Sequence, residues 1–300
     1  MKRSLVTIII LLAPVFLSAQ PKHEELVYGY KNGMALVMEK VMPAKSNGKA
    51  ILVLMSGGYF SSHSWLPDGV NVSKEFLDHG YTVFLTFHGS KPIYNVSDIT
   101  KDITRAVQYV RYNSKKLGID PAHIGMYGNS SGGHLSLYAA TADDSSDASS
   151  KDPVEKVSSK IQAVCVFYPP TDLMNFGENG ASIVSDPKLA FERDVAAAFD
   201  FKYWVDSTQQ YVKPDAAKLT DIAKRLSPVY LVTKDDAPAL LVHGDKDWVV
   251  PLQQSQLLVD RYKSAGVPIE LIVKPGAEHG WPNENIEREK MAAWFDKYLK

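Results

Sequence analysis

Short apolar runs and longer mixed stretches alternate along this chain from Ala50 onward. Ala50 to Met55, Thr82 to Thr86, Ile124 to Tyr127, Ile161 to Phe167, Ala239 to Val242 and Ile269 to Val273 are near-continuous in apolar and β-branched residues. Such runs predict strands covered on both faces. Between them, Val72 to His79, Asp98 to Leu117, Gly132 to Ala142, Leu252 to Ala265 and Ile286 to Leu299 carry helical patterns. Gly80, Gly118 and Gly266 fall just past three of these, where a left-handed residue ends a helix. Tyr28 to Val41 alternates and predicts an antiparallel entry hairpin or edge strand. Strands alternating with helices in this way predict an α/β fold around a mostly parallel sheet.

Two stretches depart from that rhythm. Thr141 to Lys160 is rich in Asp and Ser and reads as a solvated loop. Asn175 to Tyr230 is long, mostly helical in pattern, and holds Phe191, Phe199, Phe201, Tyr203, Trp204 and Tyr211. It is read as a cap inserted between two late strands, the alternative being a packed excursion whose aromatics fill a core of their own. One catalytic domain with an insertion is the simplest organisation.

The first residues belong to a different pattern. Lys2 and Arg3 precede an almost unbroken apolar run from Leu5 to Leu17, and Ser18-Ala19-Gln20 follow. A basic start, a short apolar stretch and small residues make up a secretory signal peptide, with cleavage expected after Ala19. The run is short of the roughly 20 apolar residues a membrane span needs, so no stable membrane insertion is expected after cleavage. The expected destination is periplasmic or extracellular. The catalytic domain is then expected over 20–300, with the cap at 175–230.

Composition narrows the chemistry. A single cysteine, Cys165, allows neither a disulfide framework nor a cysteine-based zinc cluster. It lies in an apolar run and reads as a small buried hydrophobe. With 33 Lys plus Arg against 34 Asp plus Glu, nothing in the charge favours nucleic acid. No cofactor and no metal are expected.

The most informative segment is Tyr127-Gly128-Asn129-Ser130-Ser131-Gly132-Gly133-His134. It places Gly-x-Ser-x-Gly between a predicted strand and a predicted helix, the setting of a nucleophile elbow. Gly128 and Gly132 leave room for the turn, and the following helix aims backbone N–H groups at an oxyanion. A serine alcohol needs a base, and the base needs an orienting acid. Downstream, His243-Gly244-Asp245-Lys246-Asp247 follows a buried strand, and Gly276-Ala277-Glu278-His279-Gly280 follows the last one. Ser130, an acid, then His279 is the chain order such a hydrolase requires. Asp245 and Asp247 compete for the acid. Among the other histidines, His134 and His243 are given structural roles, while His63 and His88 fall in loops near the predicted sheet top.

Five blocks in order resemble the acetyl-esterase and hormone-sensitive-lipase-like branch of the α/β-hydrolase superfamily, close to bacterial feruloyl or acetylxylan carbohydrate esterases. They are Lys116 to Pro121 with the Gly128 to His134 elbow, Tyr168 to Leu173, Leu226 to Pro228, His243 to Pro251, and Gly276 to Gly280. The resemblance implies Asp247 as the acid and His279 as the base. It places the oxyanion hole at Ser56-Gly57-Gly58-Tyr59, where Ser56 stands for the family's His and Tyr59 for its third Gly. Gly58 or Tyr59, together with Ser131, would donate. A second departure puts Phe87-His88 where the family has Tyr-Arg. Tyr59, His88, Asn129 and Trp281 are expected to touch substrate, a small-molecule or polysaccharide ester. A serine peptidase of related fold is the alternative, although the chain is expected to lack room for that group's N-terminal propeller. A noncatalytic binding protein on the same scaffold is the third reading.

Overall fold

The structure is a computed structural model that describes residues 22–177 and 180–300; the leader expected over 1–19 lies outside them. The entry hairpin is β1 (His23–Lys31) and β2 (Met34–Val41), paired antiparallel. Its two-residue turn is Asn32-Gly33 with φ of 49° and 80°, a geometry that matches the strands' right-handed twist and favours these residues. After β3 (Ala50–Leu54) come α1 (Leu66–Val72), α2 (Lys74–Asp78) and β4 (Thr82–Thr86). The helix expected from Val72 is thus preceded by another. Its Gly69 lets it lie close on the sheet: an added Cβ would meet Leu85 at 2.9 Å.

The long helix expected over 98–117 is split at Asn113 into α3 (Val96–Tyr112) and α4 (Ser114–Leu117). Asn95 caps α3 by accepting from the Asp98 N–H, and Gly118 ends α4 in the left-handed conformation. Next come β5 (Ile124–Asn129), α5 (Ser131–Thr141) and β6 (Ala163–Phe167). The loop between α5 and β6 has no regular structure but is organised. The Gln108 side-chain amide donates to the carbonyls of Ser145, Glu155 and Val157.

The stretch 175–230 contributes α6 (Pro187–Glu192), a small hairpin of β7 (Tyr203–Val205) and β8 (Gln210–Val212), α7 (Ala216–Leu226) and α8 (Pro228–Leu231). It returns to β9 (Ala239–Gly244), α9 (Gln253–Ala265), β10 (Ile269–Lys274) and α10 (Asn285–Tyr298).

Eight strands form one sheet in the order β1-β2-β4-β3-β5-β6-β9-β10. β4, β3, β5, β6, β9 and β10 run parallel, and the entry hairpin joins antiparallel at one end. One face is covered by α3, α5 and α9 through Ile99, Ile103, Leu135, Leu258 and Tyr262. The other is covered by α2 and α10 through Phe76, Leu77, Met291 and Phe295. This is the α/β-hydrolase layering, which opens its loops at the carboxyl ends of β5, β9 and β10. Cys165 is fully buried, as its apolar run predicts.

Phe176, Ile183, Val195, Ala198, Phe199 and Phe201 of the 175–230 stretch belong to the same continuous core as α3 and α5. Phe191, Trp204 and Tyr211 stay exposed. The aromatics therefore divide between the shared core and the surface, and form no core of their own.

Candidate active site

The turn after β5 is set by two glycines, the first of which leaves no room for a side chain. A Cβ on Gly128 would lie 2.4 Å from the Gly132 carbonyl, and one on Gly132 would lie 3.0 Å from the Leu54 carbonyl. Between them Ser130 takes φ 52° and ψ −120°. That is a strained conformation for a residue with a side chain, and it stands the hydroxyl at the mouth of a cavity. The helix α5 starts at the next residue.

The loops after β9 and β10 meet over this hydroxyl. Ser130 Oγ donates to His279 Nε2 at 3.0 Å, and His279 Nδ1 donates to Asp247 Oδ2 at 2.7 Å. The other Asp247 oxygen accepts from the N–H groups of Val249 and Val250, each at 2.9 Å. Burial pushes the Asp247 carboxyl up, but hydrogen bonds from His243, His279 and the Val250 N–H outweigh it and bring the pKa down to about 2. Asp245 does a different job: exposed at the loop surface, it accepts the Gly276 N–H at 2.7 Å and ties down the loop that carries His279.

Gly244 and Tyr168 were not assigned a part in this arrangement from sequence, whereas His243 takes the structural role expected of it. Gly244 lets the two loops touch, since a Cβ there would sit 2.2 Å from the Ala277 carbonyl. His243, buried, directs its Nε2–H between the Val250 carbonyl at 2.8 Å and Asp247 Oδ2 at 3.4 Å, and accepts the Ser255 hydroxyl on Nδ1 at 2.7 Å. It thereby holds the backbone that bonds Asp247. Tyr168 follows β6 with a positive φ of 36°, and its ring lies 4.4 Å from that of His279, centroid to centroid. Its hydroxyl donates to Glu284 at 3.1 Å. The Tyr-Pro-Pro block was visible in the sequence, but nothing local announced the left-handed turn.

Gly57 to Phe60 forms a tight turn closed by two backbone hydrogen bonds of 2.9 Å. Its central residues Gly58 and Tyr59 have φ of 53° and 62°. A tyrosine tolerates that conformation here because its ring is buried against Phe199 and its hydroxyl donates to His134 Nδ1 at 3.2 Å. His134 in turn donates from Nε2 to the Leu226 carbonyl at 2.7 Å, and burial holds its pKa down at about 4. Tyr59 thus points its side chain into the core beneath the site. Its N–H donates to Ser131 Oγ at 3.0 Å. The N–H groups of Gly58 and Ser131 have no such partner among the described residues.

The cavity above Ser130 has a volume of about 450 Å³. Leu173, Phe176, Ile183, Val195 and Phe199 give it an apolar wall, and Asn129, Tyr59 and Tyr168 also line it. Two residues expected to touch substrate are elsewhere. His88 is buried in a neighbouring hollow with Nδ1 donating to the Gly89 carbonyl at 2.8 Å, and burial lowers its pKa to about 4. Trp281 packs behind the wall against Phe167 and Tyr168 and donates to Glu287 at 3.1 Å. His63 is turned to the hairpin, where Glu25, Glu39 and His63 bring ligand-type atoms within 4.8 Å of one another. Glu39 is already engaged there by His23 at 3.0 Å and His63 at 3.1 Å.

The BD-FAE family model matches residues 38–262 of this chain. The esterase LipQ of Mycobacterium tuberculosis is 23% identical over 244 residues, which cover 81% of this chain and 53% of LipQ. The chain thus spans about half the length of that relative. A truncated carbohydrate esterase from gut microbiota superposes with a TM-score of 0.73 at 24% identity, covering 94% of this chain and 98% of that one. An acetyl ester-xyloside bifunctional hydrolase from Caldicellulosiruptor lactoaceticus gives 0.71 at 24% identity, covering 93% and 98%. These likenesses show a shared fold.

Proposed function

The chain belongs to the BD-FAE family, and on that premise we propose that it is a serine carboxylic-ester hydrolase acting on short acyl or carbohydrate-linked esters, acetyl and feruloyl among them. The observation that carries this reading is the hydrogen-bonded series Ser130, His279, Asp247, whose first two members line an apolar-walled cavity. Two structural neighbours named for carbohydrate-ester and acetyl ester-xyloside hydrolysis support the sugar-linked part. A relative named an esterase supports the ester.

In the proposed reaction Ser130 Oγ attacks the ester carbonyl carbon while its proton passes to His279 Nε2. Asp247 fixes the tautomer that leaves Nε2 open and stabilises the imidazolium. The oxyanion is met by the N–H groups of Gly58 and Ser131, the latter at the positive end of α5; one such donor is worth roughly 100-fold or more in rate. Tyr59, whose N–H holds the Ser131 hydroxyl, shapes this hole. The tetrahedral adduct collapses as His279 returns the proton to the departing alcohol. Water then gives a proton to the same nitrogen as it attacks the acyl carbon, and the C–Oγ bond breaks as His279 returns that proton to Ser130, releasing the acid. No metal or cofactor is required by these steps.

The basic start and apolar run of Lys2 to Gln20 support export through a cleaved leader. Among the described residues no helix is long and apolar enough to cross a membrane. The stretch 175–230 is proposed as the cap of the site, since it supplies Phe176, Ile183, Val195 and Phe199 to the cavity.

The test is covalent trapping. Diethyl p-nitrophenyl phosphate should add one diethylphosphoryl group to the peptide that holds Ser130 and abolish p-nitrophenyl acetate hydrolysis in step. Modification of another residue, or persistence of activity in the fully modified protein, would refute the assignment.

A further inference from the structure

Arg193 ends α6 and lines the Ser130 cavity. Its guanidinium lies over the indole of Trp248, 5.2 Å from the ring centroid, and Trp248 immediately follows Asp247 in the loop after β9. That cation–π contact holds the guanidinium beside the cavity. No carboxylate of the described residues pairs with it, and its Nε is buried without a hydrogen-bond partner. The neighbouring acid does not serve. Asp194 also lines the cavity, but its side chain is 98% exposed and held by Lys91 Nζ at 2.9 Å. A half-buried cation whose Nε is buried without a partner, set beside an apolar wall, is placed to receive an anion.

We propose that Arg193, steadied by Trp248, makes this site select esters that also carry a free carboxylate. The carboxylate sits in the fork of the guanidinium while the ester carbonyl reaches Ser130. A planar, always-charged group with paired donors suits a carboxylate better than a hydroxyl. Binding spent at Arg193 positions the carbonyl and excludes neutral competitors of the same length. The selectivity rests on the ester-hydrolase reading above and adds a substrate class to it.

The carboxylate can belong to the acyl or to the alcohol part, and two substrate pairs separate these. Monomethyl adipate against dimethyl adipate reads the acyl side, and 4-carboxyphenyl acetate against phenyl acetate reads the alcohol side. The wild-type protein should favour the charged member of one pair in kcat/KM by at least about tenfold, and Arg193→Gln should remove that preference while Arg193→Lys keeps part of it. Adipate should also inhibit p-nitrophenyl acetate hydrolysis by the wild-type protein competitively, and adipamide should not, a readout that needs no variant. A wild-type enzyme that cleaves p-nitrophenyl acetate but prefers neither charged ester and ignores adipate would overturn the selectivity alone. So would an unchanged preference in a folded Arg193→Gln. Failure to cleave any of these esters would strike the hydrolase reading itself.

Discussion

The two walls of the Ser130 cavity are built in opposite ways. One is backbone: Ser130, Asp247 and His279 hang from the ends of β5, β9 and β10, Gly128 and Gly244 admit no side chain, and Gly132 leaves little room for one. The other is side chains from 175–230, a stretch outside the main sheet, presenting Phe176, Ile183, Val195, Phe199 and Arg193. The first wall can change only by moving the sheet. The second can be re-cut one residue at a time. On the proposed function, chemistry belongs to the rigid half and choice of substrate to the adaptable half.

The sharpest way to break that division is Ser130→Ala, expected to lower kcat for p-nitrophenyl acetate by at least about 10⁴-fold with an unchanged melting temperature. A residual rate within tenfold of wild type would move the chemistry elsewhere. Next comes the choice between the two loop acids. Asp247→Asn should cost about 10³- to 10⁴-fold in kcat, because the wrong imidazole tautomer is then stabilised. Asp245→Asn should cost less than about tenfold, since it only loosens the Gly276 turn. Equal losses would erase the distinction.

On the other wall, Ile183→Ala should shift the ratio of kcat/KM for p-nitrophenyl octanoate over acetate by about three- to tenfold, the scale of a few methylenes in an apolar pocket. An unchanged ratio would mean this wall does not touch the acyl chain. The smallest effect concerns pH. The native Asp247 carboxyl lies at about 2, below its unfolded value of roughly 3.9. Its contribution to stability is therefore complete above the unfolded value and is lost as the pH falls toward 2. The difference in urea midpoint between wild type and Asp247→Asn should accordingly shrink between pH 5 and pH 2.

The backbone wall was the legible one. Gly-x-Ser-x-Gly between an apolar run and a helical pattern states a steric requirement in one segment, so the elbow and its place in the sheet could be read directly. The same holds for acids and a histidine in loops that follow buried runs. Choosing Asp247 over Asp245 needed the resemblance, because both are loop carboxylates two residues apart. The side-chain wall was not legible. His88 and Trp281 sit on loops near the site, yet which way each side chain turns is decided by packing with Gly89, Glu287 and Phe167, distant or unremarkable in sequence. Tyr168 supports His279 through a left-handed backbone that no glycine advertised. The helix at Leu66 was hidden by Pro67 and Gly69, a pair that lowers helical propensity and here permits close approach to the sheet.

Ser130 is suspended from β5, a strand with neighbours on both sides, whereas His279 follows β10, whose sheet partner among the described residues is β9 alone. Rims fray before centres. On warming, the nucleophile would still be seated when its base has drifted off, so hydrolysis should fall silent while most of the circular dichroism persists. Recovery on cooling would then require one strand to re-zip rather than a whole chain to refold.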